Sequence, residues 1–129
     1  MIIEIHLPQA DQIFNIHEHL IARDGGLPGI REGESVEAVL GRVESNLYYR
    51  LDNPASLDAA ALITYALAVG HVFNDANKRT AYFCGMVTLE LNGTDTRLIQ
   101  QIKLEEIVIN AASGMVNMDE FMIAYKALL

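Results

Sequence analysis

The run His71-Val72-Phe73-Asn74-Asp75-Ala76-Asn77-Lys78-Arg79-Thr80 holds the densest cluster of reactive and phosphate-binding groups in the chain. An imidazole exchanges a proton near neutral pH, so His71 is a candidate base for an attacking hydroxyl. Asp75 offers one carboxylate, and a magnesium ion needs no more from a protein when nucleotide oxygens and water complete its shell. Asn77, Lys78 and Arg79 add an amide donor, a point charge and a bidentate fork within one helical turn, a set that suits a polyphosphate. Small Ala76 lets the backbone approach a ligand closely, and apolar Phe73 reads as the anchor of the run in the core. Taken singly, a histidine at a helix end, an aspartate at a helix start and a basic pair all have plainer structural uses. Their coincidence within a few residues, in a chain poor in basic groups, is what points to chemistry.

The elements around the run must hold it in place. On its N-terminal side, Leu57 to about Gly70 is apolar nearly all round, which predicts a central buried helix with Ser56 as its cap. On the other side a helix is predicted from near Asn77 to Asn92-Gly93, with Gly93 in the left-handed position that ends it. The run therefore feeds a helix N-terminus, where unpaired N–H groups and the positive end of the helix dipole form an anion site. Apolar residues at spacings of three and four predict a further helix over Pro8 to Arg23, through Ile13, Ile16, His17, Leu20 and Ile21. The same pattern predicts another over Glu34 to Leu51, and a short one through Leu104, Ile107, Val108 and Ala111 to Gly114. The last helix opens on Asn117 with Glu120 three residues on, a capping-box arrangement. Ile2 to Ile5 has strand character, but one strand makes no sheet, so the expected class is all-α, with about six helices in one compact domain spanning residues 1–129. Gly25 to Gly33 and Thr94 to Gln101 read as surface loops.

Composition narrows the function. The 129 residues suit one core; 51% are hydrophobic, and no segment is apolar enough for a membrane span or polar enough for disorder. No export signal is evident at the N-terminus, so the expected compartment is the cytoplasm. Seventeen acidic against nine basic residues give a net charge of −8, a balance that repels phosphate backbones and argues against nucleic acid as a partner. The single Cys84 lies among apolar neighbours and reads as an inert buried thiol. His17 and His19 point to different helix faces and, like His6, read as structural or surface residues.

The central run resembles the signature H-x-F-x-[D/E]-[G/A]-N-[G/K]-R of the Fic/Doc superfamily, through His71, Phe73, Asp75, Ala76, Asn77, Lys78 and Arg79. Five fixed residues at set spacing arise by chance on the order of once per million positions. The form with Lys78 is similar to the Doc (death-on-curing) branch, the toxins of toxin–antitoxin modules. The likeness continues through Gly25-Gly26-Leu27-Pro28-Gly29 and Glu37-Ala38-Val39-Leu40-Gly41-Arg42-Val43 and extends over roughly residues 6–126.

The resemblance implies a compact helical fold, with His71 as general base, Asp75 on magnesium, and Asn77 and Arg79 on nucleotide phosphates. Fic members commonly transfer AMP to a protein hydroxyl. Lys78 stands where those members have Gly, and Val72 where Pro is usual. In the Doc branch the lysine accompanies a reversed nucleotide, so the implied reaction is ATP- and magnesium-dependent phosphorylation of a threonine of elongation factor Tu, arresting translation. AMP transfer is the alternative reaction, and a catalytically silent partner-binding module the alternative class. No [S/T]-x-x-x-E-[G/N] inhibitory string occurs, since Pro28 precedes Glu32-Gly33 at the hydroxyl position. The implied brake is a cognate antitoxin whose C-terminal segment folds into a groove between helices.

Overall fold

The computed structural model describes residues 4–129. Its helices are α1 (Ala10–Asp24), α2 (Val36–Ser45), α3 (Ser56–Gly70), α4 (Asn77–Leu91), α5 (Gln101–Ala112) and α6 (Met118–Ala127). A π-helical turn, Asn46–Arg50, follows α2, and a 3₁₀ turn, Thr96–Leu98, precedes α5. The architecture is all-α, as expected. Of the expected strand over residues 2–5, Ile2 and Ile3 lie outside the described residues, and Glu4 and Ile5 belong to neither helix nor strand.

Helix α3 is the axis of the fold, packed against α2, α4, α5 and α6. Ala59, Ala60, Ala61, Ile63 and Leu67 have no exposed surface, which accounts for the lack of a polar face in its sequence. The small side chains let neighbours approach. On α4, a Cβ placed on Gly85 would collide with the Thr64 hydroxyl of α3, so the crossing of the two helices depends on that glycine. Cys84 beside it is fully buried, and burial pushes its thiol up to about 12, in line with an inert core residue.

Several element ends differ from the sequence reading. Ser56 is the first residue of α3 and not its cap, because the Asp58 carboxylate accepts the Ala55 N–H at 2.9 Å and moves the boundary back. The helix expected over Glu34 to Leu51 starts two residues later, where Ser35 Oγ accepts the Ala38 N–H at 3.0 Å. It widens into the π turn where Asn46 Nδ2 donates to the Arg42 carbonyl at 2.9 Å and takes up an acceptor of the helical ladder. Pro8 lies outside α1, whose start is marked by the Gln9 N–H donating to Gln12 Oε1 at 2.7 Å. The reading of α6 holds: Asn117 Oδ1 accepts the Glu120 N–H at 2.8 Å, and Glu120 Oε1 accepts the Asn117 N–H at 2.9 Å. Gly93 follows α4 at φ 86°.

Candidate active site

The loop between α3 and α4 is short and held from several sides. His71 ends α3 in a left-handed conformation, and Val72 and Phe73 then turn into the core, 0% and 1% exposed. Asn77 closes the loop on itself: its Oδ1 accepts the Phe73 N–H and its Nδ2 donates to the Phe73 carbonyl, both at 3.1 Å. Ala76 precedes α4 at φ 59°, and no side chain caps the helix. The backbone N–H groups of the first turn therefore remain available to a ligand.

The segment after α1 is bound to this loop along its length. Arg31 N–H donates to the Val72 carbonyl at 2.8 Å and Asn74 N–H to the Gly29 carbonyl at 3.1 Å, forming an antiparallel bridge between Ile30 and Phe73. Asn74 Nδ2 adds a bond to the Pro28 carbonyl at 3.0 Å. The Asp75 carboxylate is fixed by the Leu27 N–H on Oδ2 at 3.2 Å and by the Ala76 N–H on Oδ1 at 2.8 Å. These two donors, Leu27 first, hold its carboxyl below the ordinary value, and the nearby Arg79 charge helps. The segment is exposed, as expected of a surface loop, and its backbone also braces the loop that carries the site. Its closeness requires Gly26, where a Cβ would stand 2.8 Å from Asp75 Oδ2.

A cleft of about 410 Å³ opens above the start of α4, and His71, Asp75, Ala76, Asn77, Lys78 and Arg79 all line it. His71 and Lys78 are exposed, while Asp75, Asn77 and Arg79 are half-buried. Arg79 lies against the end of α1, its Nη1 3.4 Å from Asp24 Oδ2 and its Nη2 donating to the Gly25 carbonyl at 3.3 Å. A second cleft of about 390 Å³ adjoins the first, shares Lys78, Arg79 and Ile109 with it, and is walled by Tyr82 and Phe83. A cleft lined by cationic and amide side chains and an aromatic hollow therefore lie side by side.

The structure brings together six of the seven residues singled out in the motif. The seventh, Phe73, lies beneath the cleft as a core anchor. Asn77 differs in emphasis from the sequence reading, because its oxygen and one of its amide hydrogens are spent on Phe73, leaving one hydrogen for a phosphate. Among the described residues no three His, Cys, Asp or Glu side chains cluster around a metal position. Asp75 is the acidic group of the main cleft, and one ionised carboxylate fits a magnesium ion whose other ligands are phosphate oxygens and water.

The sequence reads His17 as a structural or surface residue, and the structure places it in the core, beneath the site. It is fully buried on α1, stacked on Phe73 with ring centroids 3.8 Å apart and planes 6° from parallel, and its Nε2 is 2.8 Å from the Asp75 carbonyl. The available signal was its place in the apolar stripe of α1, between Ile13 and Leu20, where a polar ring needs a buried partner.

Comparison with known proteins supplies the family. The chain is 33% identical over 107 residues to the protein kinase doc of Escherichia phage P1, a stretch covering 83% of this chain and 82% of that one. The family model described as Fic/DOC matches residues 7–89. Because that match runs from ahead of α1 almost to the end of α4, and so takes in both the motif loop and the helix it packs on, the chain belongs to the Fic/DOC family.

Proposed function

We propose that this protein is a kinase that moves the γ-phosphoryl group of ATP to a protein hydroxyl and acts as the toxin of a toxin–antitoxin module. The observation that carries the reading is the convergence of His71, Asp75, Lys78 and Arg79 on one cleft at the uncapped N-terminus of α4. The name of the phage P1 relative, a protein kinase, supports phosphoryl transfer over other chemistry.

In this reading the phosphates lie against the free N–H groups of α4, with Lys78 as a point charge and Arg79 as a fork once it leaves Asp24. Asn77 shapes the loop and gives its remaining amide hydrogen to a phosphate. Asp75 holds magnesium, which supplies charge neutralisation on the phosphates. His71, exposed at the rim, takes the proton of the target hydroxyl. The hydroxyl oxygen then bonds to the γ-phosphorus, the bond from that phosphorus to the bridging oxygen breaks, and ADP departs. The proposed acceptor is a threonine of elongation factor Tu, and its modification arrests translation in the cytoplasm. Control comes from a cognate antitoxin in trans. Exposed Ile102 and Ile109, seven residues apart on α5, give such a segment an apolar stripe to cover.

The deciding experiment supplies ATP labelled separately at the α- and γ-phosphates, with magnesium and purified elongation factor Tu. Incorporation of γ-label is expected. Incorporation of α-label instead would establish AMP transfer, and no label with any acceptor would leave a silent binding module. Lys78→Gly separates the two chemistries further: it should lose most phosphoryl transfer, whereas loss of Arg79 removes a phosphate contact common to both and should depress rate by about one to two powers of ten.

A further inference from the structure

The peptide unit between Asp75 and Ala76 is under constraint. Ala76 sits at φ 59°, a conformation that an L-residue with a Cβ adopts only when its surroundings enforce it. Rotation of that one peptide plane changes φ of Ala76 and ψ of Asp75 together, so whatever grips its carbonyl sets both. The grip comes from α1. His17 Nε2 is 2.8 Å from the Asp75 carbonyl oxygen, and since a carbonyl only accepts, Nε2 carries the hydrogen. The ring has no freedom to swing away, being fully buried and lying flat on Phe73.

The next residue completes the restraint. Glu18 Oε1 accepts the Gly29 N–H at 3.0 Å, which steadies the segment whose Leu27 N–H holds the Asp75 carboxylate. Neighbouring residues of α1 thus hold the main chain of Asp75 on one side and the partner of its side chain on the other.

We propose that His17, with Glu18 holding the neighbouring segment through Gly29, is a positioning residue for the magnesium–nucleotide site: it pins the left-handed Asp75–Ala76 peptide and so sets where the Asp75 carboxylate and the first N–H groups of α4 stand. This rests on the kinase reading above for the identity of the ligand, but not for the peptide geometry. Residues that orient a metal ligand without touching the metal commonly govern affinity by about 10- to 100-fold.

The test uses the full chain with His17→Phe, which keeps a ring on Phe73 but has no donor, and His17→Gln, which keeps a donor without the ring. Should His17→Phe not fold, His17→Gln and Glu18→Ala carry the same measurement. Magnesium is titrated into protein with ATP and nucleotide binding followed by calorimetry. Folded His17→Phe should need about tenfold more magnesium for half-maximal binding, and His17→Gln less than that. Adding Ala76→Gly, which adopts the left-handed backbone freely, should relieve most of the loss, an outcome that a packing role for His17 does not produce. A magnesium requirement within about twofold of wild type in His17→Phe, or a loss that Ala76→Gly leaves untouched, overturns the proposal. If wild-type protein binds no magnesium–ATP, the kinase reading falls alone. Amide exchange at Ala76 and Asn77 in ligand-free protein then decides for His17, faster in His17→Phe if it pins the peptide and unchanged if it does not.

Discussion

His71 and Ala76, at the two ends of the site loop, share a left-handed backbone, with φ of 49° and 59°. They are the non-glycine residues with positive φ among those described, and between them the chain leaves α3, buries Phe73 and enters α4. For an L-residue that conformation costs about 1–2 kcal/mol, while glycine loses about 0.4–1 kcal/mol more backbone entropy on folding. Ala76→Gly should therefore raise stability by about 0.5–1 kcal/mol, the reverse of the usual sign for this exchange. Urea unfolding measures it, and a destabilised variant would show that the loop carries no strain at this position.

Gly26→Ala should do the opposite. Its Cβ would stand 2.8 Å from Asp75 Oδ2 and 2.9 Å from Ile21 Cδ1, on a backbone at φ 124°. Overpacking of this kind costs about 1–3 kcal/mol, and relief by moving Asp75 breaks the bond from Leu27. Lower thermal stability together with weaker magnesium-dependent ATP binding is expected; wild-type values of both would mean that the segment shifts freely.

His71→Ala separates chemistry from folding. The side chain is exposed at the rim of the cleft and lies outside the hydrophobic core, so the variant should melt close to wild type. Loss of a general base removes about 10²–10⁴-fold in rate, so γ-label transfer should fall by at least about a hundredfold while ATP binding persists. Full transfer by a folded His71→Ala protein would assign the proton to another group.

Asp75 predicts an acid dependence of stability. Its carboxyl titrates below the ordinary 3.8 in the folded chain, held there first by the Leu27 and then by the Ala76 N–H. A depressed folded value adds stability that is complete above the unfolded value and disappears as pH falls through the folded one. The stability difference between wild type and Asp75→Asn should hence stay constant above about pH 5 and shrink progressively below about pH 4. Urea midpoints across that range check it, and a difference independent of pH would mean that the two N–H bonds do not favour the ionised form.

Much of this molecule is written locally. The spacing of apolar residues was enough to expect α1 to α6, because a helix facing a core must repeat its apolar side every three to four residues. The Asn117–Glu120 cap and the stop at Gly93 depend only on residues within one turn. The motif from His71 to Arg79 was legible for the same reason, since one loop and one helical turn bring its groups into a single cleft. Where the local reading missed an end, as at Ser56 or Asn46, a competing side-chain bond three or four residues away displaced it.

What only the tertiary structure decided are the contacts between segments far apart in sequence. His17 lies 58 residues from Asp75 and Leu27 lies 48 residues from it, and neither separation leaves a periodic trace in the sequence. The segment from Gly25 to Gly33, polar and rich in glycine, carries the composition of a free surface loop, yet its backbone pairs with the motif. Backbone hydrogen bonds are blind to side-chain identity, so such a pairing has no compositional signature. The placement of Arg79 on Asp24 is likewise a product of α1 meeting α4. The sequence determined which groups could act; the packing of α1 against the loop decided how they are held.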